Sequence, residues 1–386
     1  MALTNARLTE VSQLVEEALS GNKIAQGKIK NDIESFRNAE ESMSTSDFPA
    51  ALKAITSVAF LGQYEQIQSV WTQYAKPYNV SNLKPQAFYS LTPHLITDNF
   101  PDVSGGEVTV KGPPSGIPRI PELTEYPTVS FSASESSFGV AKYGARVNFS
   151  FEMLLNDEWG VLETLPDQLA QLARNQEDIV ATEVLASPVG PNAVFFNNAN
   201  RNLVTTGNGF KSNNPALTID SLENAMSVIR GRSFNGNPVQ VGQFALMVPP
   251  ALEAEARRLL GITAFQITDP VNGIYTTTNP VSGTTLIVNP WLTIIDKSAT
   301  ANTTWYLLPA GSAGIRPAVV FSKIRGRETP ELRIASATGN YLGGGEVPGR
   351  EGSFLNDDIE FRIRYFMGAA GIAYEVTAVS TGVGGA

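Results

Sequence analysis

The chain of 386 residues contains no cysteine and a single histidine. Disulfides, thiolate metal sites and a cysteine nucleophile are thereby excluded, which fits a protein assembled in a reducing compartment. With His94 alone, a histidine-rich zinc or iron site cannot form, and any Ser-His-Asp triad would have to run through it. Its surroundings, "LTPHLIT", hold no nucleophile elbow, so His94 is expected to be a structural or surface histidine. Charge is scarce as well, at 17% of residues, with a formal net charge of -9. Such an average field does not grip a polyanion, so any contact with nucleic acid has to be local. No run approaches the roughly 20 apolar residues needed to span a bilayer. The start, "MALTNARLTEVSQLVEE", lacks the apolar core of a signal peptide, and its acids oppose a transit peptide. A soluble protein made in the cytoplasm is the expectation.

What the chain has in quantity is glycine (33) and proline (24), a mixture that suits a turn-rich β or α+β protein. It opens on helical spacing: Leu8, Val11, Leu14 or Val15, then a second stretch over about 23–41. A third stretch, "FPAALKAITSVAFLGQYEQIQSVWTQYA", carries Leu52, Ile55, Ala59 and Tyr64 or Ile67. From Asn99 to Phe149 the texture changes to β-prone runs between turns, "EVTV", "PTVSFSAS" and "YGARVNFSF". Among them "GPPSGIPRIPELTEYP" is too rich in proline for the middle of a sheet or helix, and it predicts an extended arm or long edge hairpin.

The longest helix is predicted over Leu165–Ala186, roughly 33 Å at 1.5 Å per residue, with Thr164 and Asp167 as a capping pair and "SPVGP" as its stop. Leu165, Leu169, Leu172, Gln176, Ile179 or Val180 and Val184 form the expected packed stripe. Gln168, Gln171, Asn175 and Asp178 form the wet face. A compact α/β unit follows: a helix capped by Asp220 and Glu223 and stopped by Gly231, a strand ending near Val248, and a helix from Pro250 to Gly261 with a Glu253 to Arg257 pair. Beyond Thr284 strands are expected in "TTLIVNPWLTII", "TWYLLPA", "PAVVFSKI" and "ELRIASA". The end, "DIEFRIRYFMGAAGIAYEVTAV", predicts a half-wet strand, a Gly/Ala turn and a more apolar return strand.

Reactive constellations are missing. Asp157 with Glu158, and Asp357 with Asp358, are sequence neighbours that point apart on any regular element, and they are expected to cap and turn. "YLGGGEVPG" and "GSAGIRP" lack the Lys-Ser/Thr ending of a phosphate loop. Arg316, Lys323, Arg325 and Arg327 are expected in inter-subunit salt bridges or plain solvation before phosphate contact on an inner surface, because Glu328 and Glu331 follow at once. No catalytic, cofactor-binding or metal-ligating residue is assigned, and no cofactor is expected.

The order of several segments nevertheless resembles a known family. "AKYGARVNFSFEMLLNDEWGVLETLPDQLAQLARNQEDIVATEVL", "FFNNANRNL", "SLENAMSVIRG", "FALMVPPALEAEARRLLG", "VNPWL", "WYLLPA" and "FRIRYFMGAAGIAYE" are similar, in that order, to the major capsid protein of tailed double-stranded DNA phages. This is the fold named for phage Hong Kong 97, and the Mu-like branch looks closest. The resemblance implies an α+β chain with a helical N-terminal arm over 1–100 and an extended loop with its base over 101–150. The spine helix and following loop, part of a peripheral domain, would take 151–218, axial-domain elements 219–290, and closing strands 291–386. It implies a non-catalytic head protein that self-assembles in the bacterial cytoplasm into the icosahedral shell of the virion. Its partners would be further copies in hexamers and pentamers, portal, scaffolding or decoration proteins, and packaged DNA through weak inner-surface contacts, with no membrane. Assembly residues implied are Pro113, Pro118, Arg119, Pro121 and Tyr126 on the loop, and Tyr143, Arg146, Phe149 and Phe151 at the seam between loop and spine. Trp159, Leu165, Leu169 and Leu172 follow on the spine. Some relatives weld subunits through a lysine to asparagine bond; Lys111 and Lys142 lie near the loop, but no constellation here supports it. The alternative is a soluble tail-associated or binding-module protein forming small oligomers.

Overall fold

The computed structural model describes residues 60–95, 99–101, 107–109, 129–150, 161–234, 237–269, 273–310, 317–335 and 358–384. The chain divides into two compact units, one made of 1–69, 141–177 and 325–367, the other of 70–140, 178–324 and 368–386.

In the first unit three antiparallel strands form a sheet, with Asp358–Gly371 in the middle, Ala141–Ser150 on one side and Glu331–Ile334 on the other. The alternation predicted for the central strand holds. Phe361, Ile363, Tyr365 and Met367 are buried on one face, while Arg362 is exposed on the other. Residues 60–66 are helical, and Phe60 and Tyr64 are buried. The long helix is Val161–Thr182, 22 residues and therefore about 33 Å. It has the expected length but begins and ends four residues earlier. Its stop is a tight hairpin in which Ala186–Ser187 pairs with Gly190–Pro191, so "SPVG" turns a ribbon and does not end a helix. Its packed face is also rotated from the prediction. Leu169, Ala170, Ala173, Glu177 and Asp178 are buried, whereas Leu172 is 46% exposed. Small alanines allow close packing, and the acids at 177 and 178 are satisfied by partners that apolar spacing cannot reveal.

The second unit is centred on a four-stranded sheet in the order Thr285–Val288, Phe244–Val248, Trp305–Pro309, Ala378–Ser380, with the first pair parallel and the others antiparallel. Phe244–Val248 and Trp305–Pro309 are buried at every position, as continuous apolar runs require. Against them lies helix Ile219–Arg230 through Leu222, Ala225, Met226 and Ile229. Its cap is Thr218 with Ser221 in a reciprocal capping box, two residues before the expected Asp220 and Glu223. A 3-10 turn Pro250–Leu252 leads into helix Glu253–Gly261, and Arg257 pairs with Glu253 at 2.8 Å as the spacing implied.

Three expectations fail here for identifiable reasons. "TTLIVNPWLTII" is a strand only to Val288. The Asn289 side chain accepts from the Trp291 N–H at 3.0 Å and turns the chain into the short helix Trp291–Ile295. The helical run from 60 ends at 66, and Ala75–Val80 is a strand parallel to Val319–Ile324, fastened where Trp71 stacks on Phe321 at 4.2 Å. "GAAG" is not a turn, because the strand Asp358–Gly371 runs straight through it. Its glycines serve close approach: a Cβ on Gly368 would stand 2.0 Å from the Gly139 carbonyl oxygen, and one on Gly371 would stand 2.2 Å from the Phe195 ring.

Candidate assembly site

Two kinds of arrangement hold side chains together: buried polar clusters and exposed sheet surfaces. In the first unit Glu177 is fully buried. Tyr64 and Tyr365 both donate to its Oε1, Ser69 donates to Oε2 at 3.2 Å, and Arg174 reaches Oε2 at 2.9 Å. The two phenol oxygens are 2.8 Å apart, and Arg174 also donates to the Tyr64 carbonyl at 2.8 Å and lies over its ring. Burial, then the charge of Glu177, pushes the Tyr64 phenol far up. Burial, with Tyr64 and Glu177 beside it, does the same to Tyr365. Both phenols stay neutral donors and neither is a base. With every oxygen of Glu177 engaged, the cluster is a clasp that joins residues 60–69 to the helix and the central strand.

The second unit has its own clasp. Arg232 donates to the carbonyls of Glu375 at 3.0 Å, Thr377 at 3.1 Å and Arg201. Desolvation brings its guanidinium down to about 10. Asn202, fully buried, donates to the Phe195 carbonyl at 2.9 Å and accepts from the Asn197 N–H at 3.0 Å. The "FFNNANRN" loop is thus held by its amides, an ordering role. Among the described residues no cluster of three or more acids and histidines stands ready for a metal ion. His94 sits on a strand opposite Ser130.

Two strand pairs stand without a further strand among the described residues. Gln86–Leu95 pairs antiparallel with Val129–Phe138 over ten residue pairs, about 30 Å of ribbon, and no third strand joins it among the described residues. Two-stranded ribbons are marginal alone in water, and at its base this one packs through Phe138, which meets the Tyr78 ring edge-on at 5.3 Å. Its first strand includes His94 and falls within the stretch 1–100 expected as a helical arm, where no strand was predicted. A second ribbon, Ala264–Asp269 with Gly273–Thr278, also stands without a third strand among the described residues.

The sequence-predicted residues distribute as follows. Tyr143, Arg146 and Phe149 lie on the strand Ala141–Ser150, opposite Tyr365, Arg362 and Ile359. Arg146 pairs with Glu360 at 3.2 Å. Leu165, Leu169 and Leu172 lie on the long helix, with Leu169 buried and Leu172 exposed. Pro113, Pro118, Arg119, Pro121, Tyr126, Phe151 and Trp159 lie outside the described residues, as do the first two predicted helices. Of the basic set, Lys323 lies over Trp71 at 5.6 Å, Arg327 is 3.9 Å from Glu331, and Arg316 is outside the described residues.

Residues 134–379, nearly two thirds of the chain, match the family described as phage capsid protein, and the chain belongs to that family. It is a capsid-type shell protein with a mixed α+β fold, and it is not an enzyme. No curated protein matches it. Solved structures similar to it include one from Gordonia phage Cozz, at 15% identity over 79% of this chain and 83% of that one, TM-score 0.44. Another is from Microbacterium phage Oxtober96, at 12% identity over 81% and 90%, TM-score 0.42. A third is the holo-SrpI encapsulin complex from Synechococcus elongatus PCC 7942, at 12% identity over 82% and 89%, TM-score 0.41. Likenesses at this level carry no weight beside the family match.

Proposed function

We propose that this protein is the major head protein of a tailed double-stranded DNA phage, of the branch related to Mu-like phages. Its copies close as hexamers and pentamers into an icosahedral shell around the genome. The supporting observation is the ten-pair ribbon 86–95/129–138. It flanks the proline-rich stretch 113–127, and no third strand joins it among the described residues. A proline-stiffened segment loses little chain entropy when a neighbour fixes it, and contacts of this two-sided kind close by symmetry. Pro113, Pro118, Arg119, Pro121 and Tyr126 engage that neighbour. Tyr143, Arg146, Phe149 and Phe151 set the base of the loop, and Trp159, Leu165, Leu169 and Leu172 brace the spine. Stability then rises with assembly by mass action. The shell assembles in the bacterial cytoplasm with portal and scaffolding or decoration proteins, and its net charge of -9 keeps DNA contacts weak.

The test is deletion of residues 113–128. Soluble subunits with the wild-type melting temperature and no closed particles in negative-stain images are expected. Normal particles from the deletion would remove the loop from the assembly mechanism.

A further inference from the structure

The exposed face of the three-stranded sheet in the first unit carries an arrangement that a subunit alone does not explain. Arg362 on the central strand stands directly opposite Arg146 on one neighbour and Arg333 on the other. Residues opposite in a ladder share a face, so three guanidiniums lie in one row about 10 Å across. All three are exposed. Like charges in this position destabilise a sheet.

The local acids do not neutralise the row. Glu360 pairs with Arg146 at 3.2 Å. Glu331 is shared by Arg333, Arg364 and Arg327, the last at 3.9 Å. Two carboxylates therefore serve four arginines. Among the described residues none lies within salt-bridge reach of Arg362, at the centre. Arg364 and Arg327 also lie over the Phe366 ring, at 5.5 and 6.0 Å, which extends the cationic surface along the sheet. This local excess of positive charge sits in a chain of net charge -9, so the remainder of its surface is more acidic still.

We propose that the row Arg146, Arg362, Arg333 is a docking face for carboxylates of a second copy of this chain in the assembled shell. The inference rests on the shell reading above and names one of its contacts. A second copy fits better than nucleic acid, because each copy carries 37 acidic residues against 28 basic ones and so offers the complementary carboxylates itself. Guanidiniums also suit bidentate pairing with carboxylates, and neutralisation in the shell offsets the repulsion each subunit carries.

The test combines neutralisation and cross-linking in the full chain. The variant Arg146→Gln/Arg362→Gln/Arg333→Gln is expected to fold with a melting temperature close to that of wild type, relief of the repulsion offsetting loss of the pairs to Glu360 and Glu331. Its critical concentration for assembly should rise roughly tenfold or more, with a weakened dependence on salt. In parallel, Arg362→Lys keeps the charge and supplies an amine. Shells formed from an equal mixture of heavy-isotope and normal Arg362→Lys protein are treated with a carbodiimide. Mixed-isotope links from position 362 to Asp or Glu are expected. Shells that form without such links, or a neutral variant that assembles as wild type while its particles retain less DNA, would overturn the proposal and point to nucleic acid as the occupant. Failure of the wild-type chain to form shells under any condition is a separate result that removes the shell reading itself.

Discussion

Glu177 shows how a charge can be indispensable to a structure without doing chemistry. Its carboxylate is fully buried and holds Tyr64, Tyr365, Ser69 and Arg174. Removing one partner of a buried pair leaves the other uncompensated. Glu177→Ala should therefore cost about 3–5 kcal/mol in urea unfolding, against about 1 kcal/mol for Tyr64→Phe, which leaves the ion pair intact. Equal small losses in both variants would show that the clasp is decorative. Glu331 is exposed by comparison. Burial is the largest single influence and raises its carboxyl, but the hydrogen bonds and charges of Arg364 and Arg333 together outweigh it and hold the group below the usual value of 4.5. A carboxyl lowered in the folded state contributes stability that is present above the unfolded value and disappears as pH falls through the folded one. Acid titration of the melting temperature should thus show wild type losing its margin over Glu331→Gln below about pH 4.5, and a constant margin across that range would contradict the pairing. None of these partnerships was legible in the sequence. Tyr64 lay on an expected apolar stripe, but Glu177 looked like any helical acid paired with Arg174 one turn away, because Tyr64, Ser69 and Tyr365 come from segments more than a hundred residues distant.

At the scale of elements, periodicity carried the reading far. Strands Phe244–Val248, Trp305–Pro309, Val319–Ile324 and Glu331–Ile334 lie where the apolar runs placed them, and helix Ile219–Arg230 stops at Gly231 as expected. Errors gathered where one residue type has two uses. Gly368 and Gly371 looked like a turn, yet they are glycines because a backbone carbonyl and a phenyl ring occupy the space of a side chain. Gly368→Ala should accordingly cost at least about 1–3 kcal/mol of overpacking, since the atom it meets is backbone and cannot swing aside. A melting temperature unchanged in that variant would mean that the strand has room to shift. Thr164 with Asp167 formed a plausible capping pair, but the helix starts at Val161. Capping signatures mark places where a helix can begin, and the fold selects among them.

For the whole molecule, what the sequence made visible was class more than contact. Scarce charge, no cysteine, one histidine and no reactive constellation pointed away from catalysis, and the ordered run of weak resemblances pointed to a capsid protein, the family that residues 134–379 match. The ribbon 86–95/129–138 and the row of arginines stayed hidden for the same reason: each depends on register between strands far apart in the chain. In the proposed shell a neighbouring copy would offset the cost of both surfaces to the isolated subunit. The measurement that bears most directly on this reading is light scattering of the purified full chain after gel filtration, with negative-stain electron microscopy of the same fractions. Closed, uniform particles are the predicted result. A homogeneous small oligomer that persists when portal and scaffolding proteins are supplied would contradict it.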